Sequence, residues 1–295
     1  MENRSSLGII IISFNVRKLL KECLESVIRE TRDTRYEIWV IDNHSRDDSV
    51  QMLKESFPQV HLIENTENLG FTRANNQAIA KCQCDLILLL NPDTIIQDRA
   101  LDKMVRFMDE RPDVGAAGCR VLNEDGTLQL ACRRSVPTPT VAFYKLSGLS
   151  RLFPNSKVMA RYNLTYLDPN ATHEVDAVSG AFLLIRKQVV DRIGMLDEEF
   201  WIFGEDIDWC IRTKKAGWKV MYYPDASIIH YKGVGCGTNS RKTSYEFYRA
   251  MYLFHKKHFA RDCSPITNGL IYLGIFFKAL LSWRRFLPSK ARSNP

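Results

Sequence analysis

The sequence predicts an α/β protein: a mostly parallel, Rossmann-like sheet flanked by helices, followed by a C-terminal helical appendage. Three observations carry this. Residues 7–12 form an unbroken apolar run with four consecutive isoleucines, as a strand buried on both faces requires. Similar apolar runs at 36–41, 60–63 and 85–90 alternate with segments of helical spacing, which indicates parallel strands joined through helices. Polar residues stand directly after these runs: Ser13 and Asn15, then Asp42 and Asn43, then Asn91-Pro92-Asp93. In a parallel sheet that edge, at the carboxyl ends of the strands, is where ligands bind.

In chain order, residues 16–30 place Leu19, Leu20, Cys23, Leu24 and Val27 on one helical face. Further helices are expected at 47–55, 72–81 and 98–110. Glu124-Asp125-Gly126 between apolar flanks reads as a hairpin turn. Residues 132–170 mix prolines, arginines and aromatics and read as an insertion or flap. Regular signals return with a strand at 177–185, a helix at 206–216, a strand at 219–223 and a strand-like run at 226–229 that ends on His230. Helices are expected at 241–259 and 266–287. The division is a domain over 1–240, with a nucleotide-binding half to about 120 and an acceptor-binding half beyond it, and a helical segment over 241–295.

Composition narrows the function. Hydrophobic residues at 45% and charged residues at 25% are globular values. The net charge of +7, with basic pairs at Arg133-Arg134, Arg241-Lys242, Lys256-Lys257 and Arg284-Arg285, suggests an anionic partner. No helix-turn-helix, zinc-finger or RNA-binding signature accompanies them, so nucleic acid is not expected, and a membrane surface or a diphosphate fits better. The eight cysteines are scattered, with no secretory signal before them, and read as reduced thiols in a cytosolic compartment. Cys82 and Cys84 are the close pair; lacking a matching second pair, they read as packing.

Three clusters carry chemistry. Asn91-Pro92-Asp93 sets a carboxylate at a strand end, where it can hold a hard cation against a diphosphate, although the same residues also make turns. Gly204-Glu205-Asp206-Ile207-Asp208 opens a helix with three carboxylates beside the aromatic stretch Phe200-Trp201-Ile202-Phe203. Those carboxylates suit a helix N-terminus, and the aromatic wall can raise the pKa of one toward that of a useful base. His230 is the third.

Taken in order, these motifs resemble family 2 glycosyltransferases of the GT-A fold, with bacterial rhamnosyltransferases the most similar. The resemblance spans about residues 7–235 and rests on Ile11-Ile12-Ser13-Phe14-Asn15, Val40-Ile41-Asp42-Asn43-His44-Ser45, Asn68-Leu69-Gly70-Phe71 with Asn76, the motif ending at Asp93, Ser179-Gly180-Ala181, Glu205-Asp206 and His230. It implies a nucleotide-sugar donor and a glycan or lipid-linked saccharide acceptor. It also implies that Asp42 contacts the donor's base, that Ser13, Asn15, Asn43, Gly70, Asn76, Asn91 and Gly180 line the substrate sites, and that Asp93 and His230 hold Mg²⁺ or Mn²⁺. Asp206 is then the general base, and Glu205 supports the acceptor. A single base with direct displacement predicts inversion. Asn91 departs from the family's DXD pattern, keeping an oxygen acceptor but removing a charge.

Residues 269–283, GLIYLGIFFKALLSW, are short for a membrane span and interrupted by Lys278. With Trp283, Arg284, Arg285 and Lys290 they read as an interfacial helix on an anionic membrane, placing the protein on the inner face of the bacterial plasma membrane. Packing on the core or a homodimer interface is the alternative. The stretch 133–151, with Phe143, Tyr144, Leu146 and Leu149, reads equally as a lipid-facing element or a plain flap. Competing functions are a nucleotide-sugar-forming nucleotidyltransferase, which would carry a glycine-rich basic loop where Ser13-Phe14-Asn15 stands, and a nucleotide-binding membrane scaffold whose site has decayed.

Overall fold

The computed structural model describes residues 4–231 and 241–283. β1 (Leu7–Ser13) is buried at every position because it lies between parallel neighbours under helices on both faces. It pairs in register with β2 (Tyr36–Asp42) and β4 (Leu86–Leu90), so that Ile9 lies beside Ile38 and Leu88. β3 (His61–Glu64) extends the sheet beyond β2. The connections are helical: α1 (Arg17–Glu30), which buries Leu20, Cys23, Leu24 and Val27, then α2 (Ser49–Ser56) and α3 (Phe71–Ile79).

Beyond β4 come β5 (Thr94–Gln97), α4 (Ala100–Glu110), β6 (Val114–Leu122), β7 (Arg133–Arg134), β8 (His173–Glu174), β9 (Ala177–Val178), β10 (Phe182–Arg186), α7 (Lys187–Ile193), α8 (Glu205–Lys215) and β11 (Lys219–His230). Between β7 and β8 lie α5 (Pro139–Leu146) and α6 (Leu149–Leu152). The nine-stranded sheet has the order β3-β2-β1-β4-β10-β6-β11-β5, with β8 alongside β11. β10 is antiparallel to both β4 and β6, and β5 and β8 are antiparallel to β11; β1 to β4, β6 and β11 all run one way. The sheet is therefore mostly parallel, with α9 (Arg241–His258) and α10 (Pro265–Trp283) appended.

Four local expectations change. The strand expected at 177–185 is two strands, because a turn closed by Phe182 N donating to Ser179 O separates β9 from β10. The runs at 219–223 and 226–229 are one strand, β11, whose register against β6 slips between Tyr223 and Ser227, around Pro224. Within 132–170, α5 starts where Thr138 Oγ1 accepts from Val141 N and Pro139 stands in the first turn. Arg133 and Arg134 are not a surface patch. Both are buried; the Arg133 guanidinium donates to the carbonyls of Asp168 and Leu167 and lies 5.0 Å from the centre of the Tyr222 ring. The expected turn at Glu124-Asp125-Gly126 is present: Asn123 N donates to Thr127 O, and Gly126 takes a left-handed φ of 81°. The seven described cysteines are free thiols; Cys236 lies outside the described residues.

One buried charge joins α8 to α9. Asp208 is fully enclosed and accepts from Arg212 Nε at 2.8 Å, from His258 Nε2 at 2.8 Å and from Lys257 Nζ at 2.7 Å. Burial opposes its ionisation, but the His258 hydrogen bond and the two cations outweigh it and hold the carboxyl down at about 2. Its stabilising contribution is therefore complete above the usual aspartate range and is lost as pH falls toward 2. Asp208→Ala strands these cations and should cost about 3–5 kcal/mol. Urea unfolding checks this, with limited proteolysis reporting whether α9 detaches; a change below about 1 kcal/mol would show that the cluster is not holding the helices.

Candidate active site

The site is assembled where β4 runs out into Asn91-Pro92-Asp93. Thr94 Oγ1 donates to Asn91 O at 2.7 Å and closes the turn into β5. β5 pairs antiparallel with β11, Thr94 opposite His230, and Tyr231 N donates to Asp93 O at 2.8 Å. This pairing carries Asp93 from the centre of the sheet to the end of β11. Its Oδ1 lies 3.2 Å from His230 Nε2, with both side chains nearly buried.

The tautomer of a neutral His230 follows from its neighbours. Gln129 Nε2 donates to His230 O at 2.7 Å, which turns Gln129 Oε1 toward His230 Nδ1 at 2.9 Å. An amide oxygen accepts, so in the neutral imidazole Nδ1 carries the hydrogen and Nε2 the lone pair. Asn91 Nδ2, at 3.2 Å, donates to that lone pair. Asp93 Oδ1 then has no donor and is buried without a hydrogen bond. Two electron-rich atoms this close in a dry setting are stabilised by a cation between them. Asp93 and His230 thus fit a divalent ion, and Gln129 presents the imidazole to it in the ligating tautomer. Gln129 was not legible in the sequence, since an amide in a hairpin arm carries no pattern of its own.

The carboxylates lie at the start of α8, after Gly204 at φ 84°. Asp206 Oδ2 accepts from Gly180 N at 2.9 Å and from an Arg134 guanidinium nitrogen at 2.6 Å, and Oδ1 accepts from Ile207 N at 2.7 Å. Arg134 also donates to Val178 O. Burial works against its charge, but the charge of Asp206 raises its pKa above the ordinary value. Glu205 has no such partner. Its Oε2 is buried and unpaired, and burial, followed by repulsion from Asp206, pushes its carboxyl up to about 8. A Cβ built on Gly180 would stand 3.5 Å from Asp206 Cβ and 3.7 Å from Glu205 Oε1. Both carboxyls therefore face the same glycine, Asp206 paired with a buried arginine and Glu205 holding its proton tightly. Asn91 N donates to Ala181 O at 3.1 Å, joining this cluster to the Asp93–His230 pair.

The remaining sequence candidates line the edge beside β1 and β2. The Ser13 hydroxyl and Asp42 Oδ1 are buried without partners, while Asp42 Oδ2 accepts from Ser45 N at 2.8 Å. Asn15, at φ 55°, accepts from Arg46 N. Asn43 donates to Gly70 O and accepts from Asn65, and Asn76 is occupied with Leu196 N, Leu196 O and Glu198. These two amides act on any ligand through the loops they hold. Of the expected aromatic wall, Phe200 is buried and Phe203 packs edge-on against Phe247, whereas Trp201 lies over Gly70, so closely that a Cβ there would be 2.5 Å from the indole. Lys242 Nζ sits 3.9 Å from the centre of the Trp201 ring.

This fold, with acidic and imidazole groups gathered at the carboxyl edge of its sheet, defines a sugar-nucleotide transferase of the GT-A class. The family model for glycosyl transferase family 2 matches residues 8–194, more than half of the chain, and the protein belongs to that family. The match ends before Glu205, Asp206 and His230. The chain is 24% identical over 259 residues to the N-acetylglucosaminyl-diphospho-decaprenol L-rhamnosyltransferase of Mycobacterium tuberculosis, covering 84% of this chain and 83% of that one. It is 24% identical over 266 residues to a dTDP-rhamnosyl transferase of Shigella flexneri, covering 86% and 81%. Its fold matches the mannosyltransferase from Pyrobaculum calidifontis in complex with GDP-Man and Mn²⁺, at a TM-score of 0.61 and 17% identity, over 100% of this chain and 77% of that one. The protein is a glycosyltransferase.

Because Glu205 binds its proton more tightly in the folded chain than in the unfolded one, wild-type stability should fall as pH rises from about 5 through 8. Glu205→Gln should remove that slope, so thermal melts of the two proteins diverge with rising pH, the variant becoming the more stable. Parallel curves would place the titration elsewhere.

Proposed function

We propose that the protein is an inverting glycosyltransferase that moves rhamnose from a dTDP donor to a hydroxyl of a lipid-linked saccharide in cell-surface polysaccharide synthesis. The rhamnose and dTDP assignments are supported by the names of the two relatives above, and the polyprenol-linked acceptor by the first of them. The observation that carries the mechanism is the charge separation at Gly180. At neutral pH Glu205 already holds its proton, whereas Asp206 is ion-paired with Arg134, so Asp206 is the carboxylate assigned to take the acceptor's proton as the hydroxyl attacks. Glu205, as a neutral acid, donates a hydrogen bond to the acceptor.

Asp93 and His230 would hold Mg²⁺ or Mn²⁺, which when bound stabilises charge on the leaving diphosphate. Asp42 and Ser13 would meet the nucleoside, a reading supported by their buried unpaired oxygens at the edge of the sheet.

The tail supports a membrane location. α10 is long and apolar enough to cross a bilayer by length and composition, and none of it is buried. It lies along α9, joined by His255 to Asn268 at 2.7 Å and by the tilted rings of Tyr252 and Tyr272, 5.0 Å apart, and Lys278 Nζ reaches Leu146 O on α5. A helix held along the body favours lying on a bilayer rather than spanning it, with Leu270, Phe276, Phe277 and Trp283 exposed. The basic margin at Arg284, Arg285 and Lys290 lies outside the described residues.

Asp206→Asn should lower turnover by roughly 10²–10⁴-fold while leaving donor binding intact; near wild-type turnover would remove the base assignment. Asp93→Ala and His230→Ala should abolish the Mn²⁺-dependent part of the thermal shift given by dTDP, and Asn91→Asp should strengthen it. Flotation with anionic liposomes should retain the full-length protein and release a chain truncated before Ser264; equal flotation of the two would return α10 to a packing role.

A further inference from the structure

The opposite edge of the same sheet carries a cluster that the transfer reaction does not use. Glu37 lies near the start of β2, and Cys82 and Cys84 occupy the connection from α3 to β4. One carboxylate oxygen and the two sulfurs all lie within 4.8 Å of one another. Gly8, the register partner of Glu37 on β1, makes the space: a Cβ there would fall 2.2 Å from Cys82 Sγ. The carboxylate is held from behind by Trp39 Nε1, which donates to Oε1 at 2.8 Å. His61 stacks on Trp39 with ring centres 4.4 Å apart, and its Nε2 lies 3.8 Å from Glu37 Oε2.

We propose that Cys82, Cys84 and Glu37 form a binding site for a thiophilic divalent cation, Zn²⁺ in particular, with His61 beside the fourth position. The donor set selects the ion, since two sulfurs and one carboxylate favour zinc over magnesium or manganese. Ligands around tetrahedral zinc stand roughly 3.5 Å apart, so the three atoms need to close by about 1 Å, a side-chain adjustment. Binding displaces the two thiol protons to solvent and leaves two Zn–S bonds and one Zn–O bond. Gly8 is five residues from Ser13 along β1, roughly 16 Å, too far for this ion to touch the donor site. Its effect is to tie β2 to the α3–β4 connection.

The test uses the full-length chain, reduced, with Asp93→Ala removing the other cation site, and Co²⁺ as the probe. One equivalent of Co²⁺ should produce thiolate-to-cobalt charge-transfer absorption in the near ultraviolet, and Zn²⁺ should displace it. Cys82→Ser/Cys84→Ser should lose the absorption, whereas Cys263→Ser should keep it. Should the double variant fail to fold, Glu37→Gln retains both thiols and should weaken Co²⁺ binding by at least the roughly 10–100-fold that loss of an outer-shell partner costs. Absence of the charge-transfer band in the reduced protein, or its persistence in the double variant, overturns the proposal. So does a zinc-free protein purified without reductant in which mass spectrometry finds Cys82 and Cys84 joined as a disulfide.

Discussion

The functional end of the molecule depends on a strand of four residues. β4 lies in the middle of the sheet and β11 lies beyond β10 and β6, so the groups that follow each would be separated by two strands if the chain simply turned into its next helix. Instead β5 leaves directly from Asn91-Pro92-Asp93 and pairs with the last residues of β11. Proline helps by fixing its backbone angle at the bend, and the link from Tyr231 N to Asp93 O secures the far side. The Asp93–His230 approach is thus a property of backbone pairing rather than of two side chains finding each other.

A second constraint is electrostatic. Three carboxylates begin α8, and the structure gives each a different environment. Asp206 is matched to a buried arginine, Asp208 to cations from its own helix and from α9, and Glu205 to none. Repulsion among them is relieved because Glu205, the first of the three, holds its proton. Adjacent residues on one helix thus meet opposite electrostatic surroundings, and the roles proposed for Asp206 and Glu205 need no distance between them.

Much of the architecture was legible because buried parallel strands are apolar runs, and the polar residues after Ile12, Ile41 and Leu90 marked the edge where the site lies. What could not be read was pairing. β5 is too short, and too close to a turn, to announce itself. Arg134 reads in sequence as half of a surface basic pair, because nothing local distinguishes an arginine that meets solvent from one that meets Asp206, 72 positions away. Gln129 is hidden for the same reason, since its partner His230 is 101 residues distant. The aromatic stretch before α8 was expected to raise a carboxyl's proton affinity, and the affected residue is Glu205 rather than the proposed base. That distinction depends on Arg134 and so on tertiary structure.

Asp208 gives the tail a mechanical meaning. It lies two residues after Asp206 on the same helix, and two of its partners, Lys257 and His258, come from the end of α9, against which α10 packs. The helix that carries Asp206 is therefore tied through α9 to the helix that presents an exposed apolar face. Should that face rest on a bilayer, as proposed, the Asp208 cluster would set how far Asp206 stands from the lipid, and so which acceptor hydroxyls could reach it.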